Sequence, residues 1–278
     1  MRLSFEFSAP RNEKAQAGVL NVAEHLARFD PAFYSVTYGA GGSTRTGTRD
    51  AVKLLKGQGR KVAPHLSIGG DDEAQTCSLL DEYRAEGIDR VVALRGDLPS
   101  GMGRARYTHN AEDLVRLIRD RFGDQFHLEV ACYPETHPDA KSPASDLAFF
   151  KRKVDAGADT AITQYFYNAP AYFDFVDRAT RAGIDIPIYA GIMPITNFQN
   201  IVRFSESCGA DIPRWIVQHL KAFEDDERAL VDFGVDVVTR LCEQLLAGGA
   251  PGLHLYTLNR WGASSRICDN LGLAVSAA

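Results

Sequence analysis

Glu6 lies between Phe5 and Phe7 in a short apolar run at the start of the 278-residue chain. A carboxylate in such surroundings either meets a cation or is pushed by desolvation to a higher pKa, where it becomes a proton donor near neutral pH. Strong polar groups recur at the ends of later apolar runs. Thr37-Tyr38 precedes the glycine-rich Gly39–Ser43, His65 follows Pro64, and Arg95-Gly96-Asp97 closes the next run. Tyr133-Pro134-Glu135-Thr136-His137, Gln164 and Thr257-Leu258-Asn259-Arg260 continue the series.

Several chemistries are excluded by what these positions lack. No lysine stands at a run end, which removes a Schiff-base nucleophile. No His-x-His occurs, and isolated His65 and His137 make no metal cage, so no metal is expected. No Gly-x-Ser-x-Gly elbow is present, and Gly39–Ser43 lacks the Lys-Ser/Thr ending of a phosphate-binding loop. Arg95-Gly96-Asp97 offers a cation, a backbone turn and a carboxylate, a set suited to an anionic, nitrogen-rich ligand. Together the groups fit a flat heterocyclic cofactor. Some have ordinary readings too. His65 alone reads equally as a core histidine, Arg152 and Lys153 as a solvated helix face, and Phe204 as part of a helix stripe with Phe198, Ile201 and Val202.

The elements that must position these groups alternate strictly. Strands are predicted at Leu3–Phe7, Phe33–Tyr38, Val62–Ile68, Arg90–Leu94, His127–Cys132, Thr160–Phe166, Ile186–Ile192 and Gly252–Leu258. Amphipathic stretches such as Glu13–Arg28, Asp72–Glu86, Ala111–Phe122, Ser142–Ala156 and Ala171–Ala182 lie between them, and Gly87, Gly157 and Gly183 are expected to stop three of them. Strict β-α alternation implies parallel strands, and eight strands close a barrel whose interior is filled by side chains. An open doubly wound sheet would show a glycine fingerprint after its first strand, where Ser8-Ala9-Pro10-Arg11-Asn12 stands instead. The expectation is an α/β fold, a (β/α)8 TIM barrel forming one domain over 1–278, with chemistry at the C-terminal strand ends. The interruption Ser205–Gly248 is expected to hold an extra helix plus the seventh barrel helix.

Composition narrows the class. Hydrophobic residues make up 45% and charged residues 24% of the chain, sufficient for a large core. A net charge of −5 offers no basic footprint for nucleic acid or an anionic membrane surface. No apolar run reaches the ~18 residues of a membrane helix. The opening runs straight into a strand without a signal peptide, and five scattered cysteines without a Cys-x-x-Cys pattern suit a reducing, cytoplasmic setting.

In order along the chain, these strings resemble the catalytic domain of the methylenetetrahydrofolate reductase family. They are Phe5-Glu6-Phe7, Ser35–Ala40, Ala63–Leu66, Ala93–Pro99, Tyr133–Pro138, Lys151–Ala158, Ile162–Gln164 and Tyr256–Arg260. The resemblance covers nearly the whole chain and looks like the short bacterial form, with no counterpart of the regulatory C-terminal domain of eukaryotic relatives. It implies an NAD(P)H-dependent oxidoreductase that reduces 5,10-methylenetetrahydrofolate to 5-methyltetrahydrofolate, ping-pong through FAD. Glu6 would then be the acid that opens the folate ring at N10, and Asp97 would stabilise the cationic folate and tune the flavin. Thr37, Tyr38, Ala40, His65, Arg95, Gly96, Asp97, Tyr133, His137, Ala140, Asp146, Arg152 and Lys153 match flavin-binding positions. Gln164, Asn200, Phe204 and Arg260 match substrate contacts. The partners implied are the folate and NADH or NADPH, in a chain compatible with a homo-oligomer.

Three positions depart from that pattern: Asn200 in place of a glutamine, Phe149 in place of a polar flavin contact, and a longer stretch at Tyr107–Ala111. The competing readings are a flavin-free pterin-binding barrel, such as a folate-dependent methyltransferase, and a folate- or flavin-binding module without turnover.

Overall fold

The computed structural model describes residues 1–39, 45–68, 73–96 and 110–274. Eight strands form one closed parallel barrel in chain order: β1 (Arg2–Phe7), β2 (Phe33–Val36), β3 (Val62–Ser67), β4 (Arg90–Leu94), β5 (His127–Cys132), β6 (Thr160–Thr163), β7 (Ile188–Ile192) and β8 (Gly252–Tyr256). The ring closes where β1 pairs β8, from Arg2 opposite Gly252 to Glu6 opposite Tyr256. Gly252 is needed there, because a Cβ would lie 2.1 Å from the Arg2 carbonyl oxygen.

Ten α-helices are seen among the described residues. They are α1 (Glu13–Leu26), α2 (Arg45–Gly57), α3 (Glu73–Ala85), α4 (Ala111–Phe122), α5 (Pro143–Asp155), α6 (Ala169–Arg181), α7 (Phe198–Cys208), α8 (Arg214–Ala222), α9 (Glu227–Ala247) and α10 (Gly262–Asn270). Asn12 caps α1 through the Ala15 amide at 2.9 Å, and Ser142 caps α5 with Pro143 in its first turn. The three glycines expected to stop helices take positive φ: 70° at Gly87, 115° at Gly157 and 76° at Gly183. No helix among the described residues is long and apolar enough to cross a membrane.

The barrel form bears out the sequence reading, with differences at the edges. β2, β6 and β8 stop at Val36, Thr163 and Tyr256, short of the predicted ends. The β8 difference has a direct cause: Leu258 and Asn259 adopt φ of 51° and 57°, which no strand accommodates. Tyr38 and Gln164 therefore lie in the loops after their strands. The stretch from Ser205 to Gly248 begins inside α7, then carries α8 and the 21-residue α9, which packs on β7, α6 and α10.

Alternate residues face the barrel axis, and they sort into layers. Phe33, Ala63, Val92, Ile162 and Tyr189 form an apolar cluster inside the ring, separate from the larger core between strands and helices. Arg2, Arg90 and Glu129 meet at the N-terminal end of the strands, and Glu6, His65 and His254 at the C-terminal end. The interior is thus an apolar plug between two polar layers.

Candidate active site at the C-terminal barrel end

Period-2 geometry on β1, β3 and β8 brings Glu6, His65 and His254 together. Glu6 Oε2 lies 3.3 Å from His65 Nε2 and 3.6 Å from His254 Nε2. Neither imidazole Nε2 meets hydrogen-bond geometry, so the contacts are electrostatic rather than directed. On its far side, His254 Nδ1 shares a 2.7 Å hydrogen bond with Ser4 Oγ. Burial acts to raise the Glu6 pKa, but the charge and proximity of His65 and His254 outweigh it and hold the carboxyl at about 2. Of the two fates open to a carboxylate in this apolar run, the structure thus selects pairing over a raised pKa. Thr257 steadies the same residue by donating its hydroxyl to the Glu6 carbonyl at 2.6 Å.

Beside this cluster, the ends of β2 to β5 surround a cavity of ≈ 280 Å³. β3 links the two: His65 touches Glu6, and Ser67, two residues on and on the same face, lines the cavity. Tyr38, Arg95, Gly96 and Tyr133 line it as well, followed by His137, Ala140, Asp146 and Lys153. Three of these are held by a chain of bonds. Arg95 donates to Asp139 at 3.2 Å, the Asp139 amide donates to His137 Nδ1 at 2.9 Å, and the His137 amide donates to Asp146 at 2.8 Å. The Tyr133 and His137 rings meet edge to face at 4.6 Å. Burial, reinforced by Arg95, lowers the His137 pKa and so favours the neutral imidazole.

Lys153 is half-buried, and desolvation pulls its pKa down. Its ammonium donates to the Ala131 carbonyl; two of its three N–H donors have no hydrogen-bond partner among the described residues. A half-buried ammonium left this way on a cavity wall suits an anionic ligand.

Other predicted residues stand elsewhere. Arg152 lies outside the cavity wall, bonded to Glu112 at 2.9 Å with its guanidinium 4.1 Å over the Phe149 ring. Glu112 and Phe149 do line the cavity, so Arg152 acts at its rim. Thr37 joins neighbouring loops, accepting from the Ala9 amide at 3.0 Å and, through its carbonyl, from Thr48 at 2.7 Å. Gln164 accepts from the Tyr165 amide at 3.0 Å. Asn200 and Phe204 lie on α7, where Arg203 covers the Phe204 ring at 5.3 Å and bonds Asn200 at 3.2 Å. Arg260 is exposed after β8. None of Gln164, Asn200, Phe204 and Arg260 lines the cavity. Ala40, Asp97, most of Gly39–Ser43 and Tyr107–His109 lie outside the described residues.

Sequence reasoning missed His254 and Ser4. The signal was available: His254 is two residues before Tyr256, so strand parity puts it on the axial face. Asp139, which joins Arg95 to His137, carried no comparable signal.

Comparison with known proteins follows the same line. The model of the methylenetetrahydrofolate reductase family matches residues 1–272. The 5,10-methylenetetrahydrofolate reductase of Escherichia coli is 38% identical over 98% of this chain and 91% of its own length. Methylenetetrahydrofolate reductase (NADH) 1 of Arabidopsis thaliana is 36% identical over 97% of this chain, though over 48% of that longer protein. Among solved structures, a Clostridium thermocellum protein that binds two copies of 5-methyl-5,6,7,8-tetrahydrofolic acid superposes with a TM-score of 0.67, covering 98% of this chain and 93% of that one at 20% identity. That likeness speaks for the fold.

Proposed function

The chain belongs to the methylenetetrahydrofolate reductase family, and from that premise we propose that it reduces 5,10-methylenetetrahydrofolate to 5-methyltetrahydrofolate with electrons from NADH or NADPH, passed through an FAD bound in the cavity beside β4 and β5. One observation carries the reading: a buried carboxylate–imidazole cluster one strand position away from an apolar-walled cavity that contains an under-partnered ammonium.

The residues present fit the cofactor. Ala93, Leu94 and Ala131 give flat apolar walls, and Tyr133 adds an aromatic face. Lys153 and Arg95 supply the cations that phosphate oxygens need. When bound, the reduced flavin would supply the hydride. His137, Ala140 and Asp146 would fix its orientation, and Arg152 would contribute only from the rim.

Glu6 would deliver the proton that ring opening requires at folate N10. A carboxyl held at about 2 is ionised at neutral pH, so its proton cannot be a resident one. The two imidazoles solve this. His65 and His254, 3.3 and 3.6 Å from the carboxylate, are the neighbours placed to hand it one, and the cluster as a unit can pass a proton through Glu6 to the leaving nitrogen. One proton then moves to N10, and hydride reaches the one-carbon unit to complete the methyl group. Asp97, by the family resemblance, would oppose the positive charge that develops on the folate. Gln164, Asn200, Phe204 and Arg260 would contact the folate and the dinucleotide in turn.

The visible spectrum of the purified protein tests this reading. A flavin spectrum that bleaches with NADH and recovers on adding methylenetetrahydrofolate is expected. A protein that binds no flavin, even with added FAD, would be a flavin-free barrel or a binding module instead.

A further inference from the structure

Between the two cavity residues Tyr133 and His137 stands Glu135, which does not line the cavity. Its carboxylate reaches away from it and accepts the amide of Asp211 at 2.9 Å. Asp211 belongs to the link between α7 and α8, distant in sequence but pressed against the β5 loop. Gly209, which ends α7 at φ 74°, sits so close to that loop that a Cβ would lie 2.9 Å from Pro138 Cγ and 3.5 Å from the Thr136 carbonyl oxygen. Thr136 itself is held at φ 63°, a conformation that a β-branched residue keeps only where its surroundings impose it. A second bond, 3.0 Å between the Tyr165 hydroxyl and Ser205 Oγ, fastens the same end of α7 to the loop after β6.

α7 is therefore joined at its C-terminal end to the two loops that carry Tyr133, His137 and Gln164. Its own residues Asn200 and Phe204 are two of the four substrate positions proposed above. We propose that Glu135 is a positioning residue for the reaction: by accepting the Asp211 amide it fixes the position of α7, and with it Phe204 and Asn200, relative to the loops after β5 and β6. The inference rests on the proposed reductase reading. Glu135 acts as an acceptor, not as a charge. It touches neither flavin nor substrate, so its loss releases α7 while the cavity keeps its cations.

Three variants test this against a merely structural role. Glu135→Ala should raise KM for both methylenetetrahydrofolate and NADH by about five- to tenfold, the scale of one lost hydrogen bond. kcat should change by less than about twofold, and bound flavin should stay stoichiometric. Glu135→Gln keeps an acceptor oxygen and should restore both KM values to within about twofold of the original. Asp211→Pro deletes the donor from the other side without touching the β5 loop. If both act through one bond, the Glu135→Ala/Asp211→Pro double variant should be no worse than either single variant. Additive effects would overturn the proposal. So would flavin loss or a lowered Tm with KM unchanged, or a Glu135→Gln variant as impaired as Glu135→Ala. An unmodified protein that binds no flavin would instead sink the reductase reading itself, so the two failures are distinguishable.

Discussion

The barrel holds two inward-facing glutamates, one at each end, and they are partnered in opposite ways. Glu129, at the N-terminal end, is fully buried and saturated. It pairs with Arg90, lies 3.8 Å from Arg2 and 3.6 Å from His127, and accepts from the Thr160 hydroxyl. Both arginines also lie over aromatic rings, Arg90 at 4.9 Å from Phe33 and Arg2 at 5.2 Å from Tyr189. Guanidinium charge is permanent in a protein, so Glu129 keeps two fixed cations beside the one imidazole of His127. Glu6, at the other end, has two imidazoles and no guanidinium as its ion-pair partners among the described residues, and imidazole is the side chain whose ordinary titration spans pH 5 to 8. The same residue type in the same barrel is thus locked where it closes the floor and exchangeable where it faces the cavity. The difference separates a structural carboxylate from a chemical one better than burial does.

The largest expected effect lies at the floor. Glu129→Gln strands Arg2 and Arg90 beside one another, and removal of one partner from such a cluster costs about 3–5 kcal/mol. Urea denaturation measures it; a loss under about 1 kcal/mol would erase the contrast.

At the other end the effect should be smaller and pH-dependent. The Glu6 pKa is lowered from 4.5 to about 2 on folding. Its contribution is therefore complete above the unfolded value and disappears as pH falls toward about 2, with an upper bound of roughly 3 kcal/mol. The stability gap between the unmodified protein and Glu6→Gln should shrink from pH 5 to pH 2. A gap independent of pH would contradict the histidine pairing.

Lys153 sharpens the contrast from a third position, as a half-buried charge with one protein acceptor among the described residues. Lys153→Met should leave Tm unchanged or raised, because an under-partnered ammonium is costly to bury. It should also release flavin about tenfold more readily, by fluorescence of the free cofactor, in line with one charge-assisted hydrogen bond. Lost stability with unchanged flavin retention would make Lys153 a packing residue.

Much of the architecture is legible in the amino-acid sequence. Alternation and the glycine stops specify the barrel, because each rests on a local rule of backbone geometry. The strand ends are less legible, since Leu258 and Asn259 leave the strand through left-handed backbone that their side chains do not advertise. Glu6 stands out by its aromatic neighbours. Glu129 does not, although it is the more deeply buried of the two, because its partners Arg90 and Thr160 come from the two flanking strands and Arg2 reaches it across the barrel interior. The same holds for His254. Its role depends on the pairing of β1 with β8, the longest-range contact in the barrel. Lys153 and Arg152 are adjacent in sequence yet diverge, one half-buried on the cavity wall and one exposed on the rim beside Glu112, a distinction set by helix phase.

The central claim is that Glu6 serves as an exchangeable proton carrier in one half of the reaction only. Stopped-flow absorbance of Glu6→Gln, following each half-reaction separately, tests it most directly. Flavin reduction by NADH should stay within about threefold of the unmodified rate, while flavin reoxidation by methylenetetrahydrofolate should fall by about 100-fold or more, as loss of a general acid implies. Equal slowing of both half-reactions would contradict the account and return Glu6 to the structural role of Glu129.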